Sequence, residues 1–486
     1  MLFLIKFFPE ITVKSKVVRR RMSRRLKDNL YRVLRPLDGG LRIFSHWDKI
    51  TVQTTVTDAA VLDDMRTVLA STPGIACFFC SEAREFDTLE DIARLAAEAS
   101  LARIRGRSFV VRCKRSGQHD FTSHDIERYV GGYLLQHGDD CRVDLHQPEV
   151  TVLLEVHGQT LYLISERVDG LGGFPLGELE PVLSLISGGF DSPVASFLTM
   201  KRGMPTHFCF FNLGGRAHEL GVKEVAWHLW QRYGASQPVQ FVTVPFEAVV
   251  AEILDKVDNA QMGVVLKRMM LRAAGRVADQ LGIDVLVTGE AVAQVSSQTL
   301  TNLSVIDKAA DRLVLRPLVT TDKEDIVRLA RRIGTDGFAA RMPEYCGVIS
   351  VKPTTRARLY RIEAEEEKFD DGILDAAVAG ARYSAIDALA MDEQPQAPVE
   401  EFAIPQPDAV IVDIRAPDEQ QRRPLQLAGQ TVELLPFYRL HSGEQAGLDR
   451  QRHYLLYCEK GVMSRLHADF LREEGFRVGV YRPVTA

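Results

Sequence analysis

The stretch that most constrains this chain is Val182-Leu-Ser-Leu-Ile-Ser-Gly-Gly-Phe-Asp-Ser-Pro193. Val182 to Ile186 has the apolar content of a strand buried on both faces. Ser187-Gly188-Gly189 then demands a tight turn, and Pro193 suits the first turn of a helix. Glycines let backbone N–H groups approach an anion, and a helix N-terminus adds its dipole and unpaired donors. Ser187 and Ser192 add hydroxyls. The segment therefore predicts a phosphate cradle between a strand and a helix. It is not a Walker loop, because no Gly-Lys-Ser/Thr follows at the required spacing. The lysine that would clamp a transferred γ-phosphate is missing. A capped turn with no ligand is the plainer alternative, and the length of the hexad Ser187–Ser192 argues against it.

The context supports a nucleotide site. From Pro181 to about Ser384, apolar runs of strand length (Val182 to Ile186, Thr206 to Phe211, Val239 to Val244, Val285 to Thr288) alternate with helical patterns. That order predicts a doubly wound parallel sheet. Ligands of such sheets sit at the carboxyl ends of the strands. Lys267, Gly289-Glu290, Gln298 and Lys323 are expected near those ends. Each alone reads as an ordinary surface residue and gains weight only from the loop. Ser-Gly-Gly-x-Asp-Ser resembles the pyrophosphate loop of the ATP pyrophosphatase superfamily, whose members adenylate a carbonyl oxygen and release pyrophosphate.

At 486 residues the chain has room for three or four domains at ~150 residues each. The net charge of −5 does not announce a nucleic-acid binder, but the charge is segregated. Lys14 to Lys27 holds eight Lys/Arg and no Asp/Glu, and Leu101 to Arg128 holds seven basic residues against three acidic. Lys14, Lys16 and Arg19 in the first cluster, and Lys114 and Arg115 in the second, are candidate RNA contacts. Leu2 to Phe7 reads as a strand. Val18, Met22, Leu26 and Leu30 line one face of the helix after it, and Pro36 ends that helix. A second α+β unit begins near Ala60, with a helix opened by a capping box from Asp87 to Glu90 and strands at Phe109 to Cys113 and Val150 to Val156.

Pro395, Pro398, Pro405 and Pro407 mark a linker. A last unit follows, with strands at Ala409 to Asp413 and Tyr454 to Cys458 and a helix from about Ser464. Cys458 closes its strand before Glu459-Lys460-Gly461, beside a helix start, with Arg465 close in sequence. Such settings lower a thiol pKa from ~8.5 toward neutrality, and they would also stabilise a persulfide anion. A buried strand-end cysteine is the alternative. Asp413-Ile-Arg415 after a neighbouring strand favours the reactive reading, since the pair resembles a rhodanese domain. The usual His-Ile-Pro-Gly-Ala stretch is not recognisable around Gln426 to Val432. Cys346, in Pro343-Glu-Tyr-Cys-Gly347, reads alone as an incidental thiol. Cys77 and Cys80 have redox spacing but strand-like flanks, and read as core. Seven sparse cysteines are not a secreted framework, and no stretch approaches the ~18 apolar residues of a membrane span. A cytoplasmic protein with reduced thiols is expected.

These residues converge. Phe8-Pro-Glu-Ile-Thr-Val-Lys14, Val168 to Pro175, Ser187 to Ser192, Pro343 to Gly347 and Cys458 to Gly461 occur in the order found in tRNA 4-thiouridine synthetases of the long form, and the chain resembles that family along its whole length. The resemblance implies a ferredoxin-like domain (1–60), a THUMP RNA-binding domain (61–167), an ATP pyrophosphatase domain (178–390), a linker (391–405) and a rhodanese-like domain (406–486). It implies ATP with Mg²⁺ as the activating reagent, with no tightly bound metal, and uridine at position 8 of tRNA as the substrate. Asp191 and Lys323 match positions essential to adenylation. Leu185, Ile186, Lys267, Gly289 and Gln298 match nucleotide contacts beside Ser187, Gly188, Gly189 and Ser192. Cys458 would take sulfur from a cysteine desulfurase as a persulfide, and Cys346 would release it through a disulfide with Cys458. A second role, passing sulfur to the carrier protein of thiamine thiazole synthesis, is also implied. The rival readings are an amidotransferase-type ligase, for which no glutaminase segment is apparent, and a non-enzymatic RNA-binding or sulfur-relay protein, against which the intact hexad argues.

Overall fold

The buried run Phe3, Leu4, Ile5 and Phe7 needs cover on both faces and both edges, and the sheet it enters supplies this. The structure, a computed structural model, describes residues 1–213, 215–339, 353–389, 399–415, 417–427, 429–436, 440, 447–459 and 461–483. Its chain divides into two compact units, Met1–Pro175 and Leu176–Ala486.

The first unit contains β1 (Leu2–Phe7), β2 (Arg42–Ser45), β3 (Lys49–Gln53), β4 (Ile75–Glu85), β5 (Ser108–Ser116), β6 (Arg142–Val143), β7 (Val150–His157) and β8 (Thr160–Asp169). They form one sheet in the order β2-β3-β1-β4-β8-β7-β5-β6. β4 pairs antiparallel with β1 on one side and β8 on the other, so the two N-terminal halves share a sheet. The helix Lys16–Leu34 buries Met22, Leu26, Leu30 and Leu34, the expected four-residue spacing. The helix Leu89–Ile104 starts one residue later than the capping box expected at Asp87. Thr88 Oγ1 accepts from the Asp91 N–H, and Asp91 accepts from the Thr88 N–H, each at 3.1 Å. The extended backbone at Thr88 aims its hydroxyl at the third helical N–H. Cys77 and Cys80 are buried in β4, as their flanks imply.

The second unit carries two sheets. β9 (Val182–Leu185), β10 (Thr206–Asn212), β11 (Gln240–Pro245), β12 (Val285–Val287), β13 (Leu313–Leu315) and β14 (Arg382–Ala385) lie in the order β13-β12-β9-β10-β11-β14. All pair in parallel except β14, which runs antiparallel against β11. Chain order runs outward from β9 through β10 and β11, then jumps to the other side for β12 and β13. The crevice between β9 and β12 is therefore the topological switch point. β15 (Glu401–Phe402), β16 (Ala409–Asp413), β17 (Val432–Leu434), β18 (His453–Tyr457) and β19 (Arg477–Tyr481) form a wholly parallel sheet, ordered β15-β19-β18-β16-β17. Its helix Val462–Glu473 buries His467 against Glu224 of the helix Gly215–Leu229. Among the described residues no helix is long and apolar enough to cross a membrane.

Candidate active site

The loop after β9 opens into the switch-point crevice, where a cavity of about 540 Å³ is bounded by Leu185 to Gly189, Asp191, Ser192, Lys267, Gly289 and Gln298. Nearly all of the expected nucleotide residues thus line one space. Lys323 reaches the same place from the start of the helix Lys323–Ile333, and its Nζ donates to Asp191 Oδ1 at 2.7 Å.

The loop is braced from within. Ser192 Oγ accepts from the Ser187 N–H at 2.8 Å and lies 2.9 Å from Ser187 Oγ. Ser192 therefore acts here as a strut that closes the turn. Neither Gly188 nor Gly189 has a left-handed φ. A Cβ at Gly189 would meet nothing nearer than Ser187 Oγ at 3.9 Å, so the missing side chain leaves the backbone open to a ligand. Gly289 has a different reason to be glycine. A Cβ there would stand 2.6 Å from the Ser192 backbone nitrogen, so only glycine lets the end of β12 pack against the start of the helix Asp191–Arg202.

Two carboxylates face this cavity with different partners. Glu290 is buried, and its oxygens accept from Lys267 Nζ at 2.6 Å, Arg316 Nε at 2.8 Å and Thr288 Oγ1 at 3.1 Å. Burial works to raise its carboxyl pKa, but the Lys267 ammonium and Arg316 guanidinium outweigh burial and hold it below the ordinary range. Asp191 is more open. It caps no helix N–H with its side chain, and it accepts from Gln294 Nε2 at 2.8 Å as well as from Lys323. His218, on the cavity wall, is pulled down to about 4 by burial and stays neutral at pH 7. The buried Gln298 Oε1 accepts no hydrogen bond among the described residues, an acceptor fitted to an exocyclic amine such as that of adenine.

The second candidate centre lies at the carboxyl end of β18. Cys458 is buried, and its Sγ accepts from the Ser464 N–H at 3.3 Å and lies 3.3 Å from Ser464 Oγ. Gly461, at φ 73°, turns the chain so that this helix-start N–H points at the sulfur. Beside it Arg415 grips Asp413 in a buried bidentate pair, at 3.0 and 2.7 Å, and Ile414 N–H donates to Tyr457 O at 3.0 Å. Arg465, expected near the thiol, pairs instead with Glu401. Cys113 and Cys209 lie in strands, where burial raises their thiol pKa, that of Cys113 to about 12 with Glu127 adding to the rise. Cys346 and Lys460 lie outside the described residues.

Of the RNA candidates, Lys16 and Arg19 share the helix Lys16–Leu34, and Lys14 lies just before it. Lys14 Nζ lies 5.7 Å from the centre of the Phe174 ring, and Arg19 stacks on Trp47. Lys114 and Arg115 end β5, where Arg115 donates to Gly117 O at 2.9 Å. Sequence reasoning missed Gln294, Arg316 and His218. Arg316 follows a strand of only three residues, too short to mark the carboxyl end that would have flagged it.

Residues 83–166 match the THUMP domain model, and residues 177–370 match the family model described as thiamine biosynthesis protein (ThiI). A tRNA sulfurtransferase of Azotobacter vinelandii is 54% identical over 484 residues, covering 99% of this chain and 100% of its own. The chain belongs to the tRNA sulfurtransferase family. A second member, from Shewanella amazonensis, is 50% identical over 485 residues, with 99% and 100% covered. Among solved structures, a 4-thiouridine synthetase in complex with RNA and bound ATP superposes with a TM-score of 0.69. It covers 79% of this chain and 99% of its own at 24% identity, a likeness of fold. The family match makes the chain an enzyme.

Proposed function

We propose that this enzyme, acting in the cytoplasm, uses ATP and a persulfide on Cys458 to convert uridine 8 of tRNA to 4-thiouridine. The observation that carries the reading is the joint presence of two built centres in a member of the family. One is a lysine-free phosphate loop at the switch point, and the other is a cysteine whose sulfur accepts a helix-start N–H.

The chemistry follows from what each centre can hold. Backbone donors around Gly188 and Gly189 receive the phosphates, and Gln298 and the Leu185–Ile186 backbone suit the base. Mg²⁺ would enter with ATP and offset phosphate charge, and Asp191 is the loop carboxylate that would help to hold it. Uridine O4 attacks the α-phosphorus, pyrophosphate leaves and the N3 proton is lost. Asp191 and Lys323 set the charge around that centre. The oxygen of a uracil is a poor leaving group and AMP a better one. A cysteine desulfurase loads Cys458 as Cys–S–SH. The terminal sulfur attacks C4, AMP departs, and Cys346 thiolate then attacks Cys458 Sγ. The S–S bond breaks with its electron pair on the thiouridine sulfur, leaving a Cys346–Cys458 disulfide for a reductant to reopen. The loop around Cys458 would serve equally to hand sulfur to the carrier protein of thiamine thiazole synthesis. Lys14, Lys16, Arg19, Lys114 and Arg115 are proposed to meet tRNA phosphates.

The test is nucleoside mass spectrometry of unmodified tRNA incubated with the enzyme, MgATP, cysteine and a desulfurase. 4-Thiouridine at position 8, dependent on each component, is expected. Absence of thiouridine, or its formation without ATP, overturns the reading.

A further inference from the structure

We propose that Gln294 is a positioning residue for Asp191, fixing the carboxylate that the adenylation step requires. The proposal rests on the reading of the crevice as an adenylation site. Its first observation is contact: Gln294 Nε2 donates to Asp191 Oδ2 at 2.8 Å, while Lys323 Nζ holds Oδ1 at 2.7 Å. With a donor on each oxygen, the plane of the carboxylate is fixed. Asp191 alone, or with Lys323 alone, could rotate about its terminal torsion, which has a broad energy well.

The second observation is the backbone that delivers Gln294. Ala293 has φ +64°, and it is one of two non-glycine residues with positive φ among those described. Such a conformation is strained for an L-residue and persists where its surroundings impose it. Here Val292 N–H donates to Val319 O, Ala293 N–H to Gln298 O and Gln298 N–H to Val295 O, at 3.0, 3.0 and 2.9 Å. The loop that carries Gln298 at the cavity wall therefore turns Gln294 back onto Asp191. A long exposed side chain loses rotamer freedom when it is held this way, and no packing in a core compensates it. The reach from Gln294 to Asp191 spans 103 residues of sequence, so no local pattern reveals it.

The chemical type matters. The amide offers an N–H to a carboxylate without adding charge, so Lys323 remains the cation on Asp191. Glutamate at this position would have the same length but would face Asp191 with a second carboxylate.

The test compares Q294A and Q294E with wild type and D191A, in the full-length enzyme. Fold is checked by thermal denaturation, ATP affinity by equilibrium binding, and adenylation by single-turnover pyrophosphate release with saturating tRNA. Q294A should slow that step about 10- to 100-fold while ATP affinity changes by less than about threefold, because a misplaced group costs the transition state more than the ground state. Q294E should be slower than Q294A at pH 8 and should gain on it as pH falls and the two carboxylates come to share a proton. A residue that only supports the loop would make the two variants equal at every pH. Near-normal pyrophosphate release from both variants, with D191A inactive, overturns the positioning role and leaves the adenylation reading standing. An active D191A overturns that reading itself.

Discussion

Two aspartates on the carboxyl-end side of parallel strands, one opening a helix and one closing its strand, differ in their partners and their burial. Asp191 follows β9 and meets Lys323 in a partly exposed pair, with side-chain exposures of 21% and 46%. Asp413 ends β16 and meets Arg415 in a pair exposed by 0% and 3%. An exposed pair gains little net energy and can be lost cheaply. A buried, bidentate pair cannot lose one partner without stranding a charge. The first arrangement leaves a carboxylate available to a ligand, and the second locks a loop. The difference teaches that the crevice keeps an exposed pair able to exchange partners, whereas the tail sheet fixes a buried pair beside the Cys458 loop.

The largest expected effects break this comparison at its chemical ends. Asp191→Ala should abolish thiolation while costing only about 1 kcal/mol of stability, since it removes one partly exposed ion pair and one exposed hydrogen bond from Gln294. Cys458→Ala should abolish persulfide loading and thiolation together while leaving pyrophosphate release intact. Thiouridine yield, thiocyanate or persulfide labelling, and thermal denaturation read these outcomes. A D191A protein that turns over normally would end the parallel between the two sites.

Next in size is Arg415→Ala. It strands the buried Asp413 carboxylate and should destabilise the tail sheet by roughly 3–5 kcal/mol. Limited proteolysis should then cut the tail early, with ATP affinity unchanged. Equal resistance of the variant and wild type would show that the buried pair is not the brace.

Glu290 sharpens the comparison from inside the crevice. Its carboxyl pKa is held below the usual value, so the stability it contributes is complete above its unfolded pKa, about 4.3, and is lost as pH falls through the lower folded value. Glu290→Gln should cost on the order of 1–3 kcal/mol at pH 7 and should flatten the acid limb of the denaturation profile. An unchanged acid limb would assign that loss of stability to other carboxylates.

How much of this was open to sequence reading depends on the range of the interaction. The β9 strand, its loop and the alternation of strands were legible, because apolar runs, paired glycines and a proline are local signals. So was Cys458 beside a helix start. The sharing of β4 between two halves of one sheet was not, since strand pairing across the chain leaves no mark in either strand. The strut role of Ser192 was hidden too, because a hydroxyl that braces the loop and one that donates to phosphate read alike. Gln294 and Arg316 depend on contacts across 103 and 26 residues. Thr88 was missed by one position because Asp87 and Thr88 are both good caps.

The smallest effects concern RNA. Single neutralisation of Lys16 or Lys114 should lower the slope of log affinity against log salt by less than about 0.9, the value for one duplex phosphate contact, and should leave persulfide loading alone. Unaltered slopes for both would move the tRNA face elsewhere in the molecule.

The central claim is that one sulfur passes from Cys458 to an ATP-activated uridine. A single turnover tests it most directly: persulfide-loaded enzyme, freed of donor and reductant, is mixed with tRNA and MgATP. Nucleosides and a non-reducing peptide map are then read by mass spectrometry. The account predicts thiouridine in stoichiometric yield, loss of the Cys458 persulfide and a Cys346–Cys458 crosslink, none of them without ATP. Thiouridine formed in equal yield by Cys458→Ala enzyme, or with no ATP present, would contradict it.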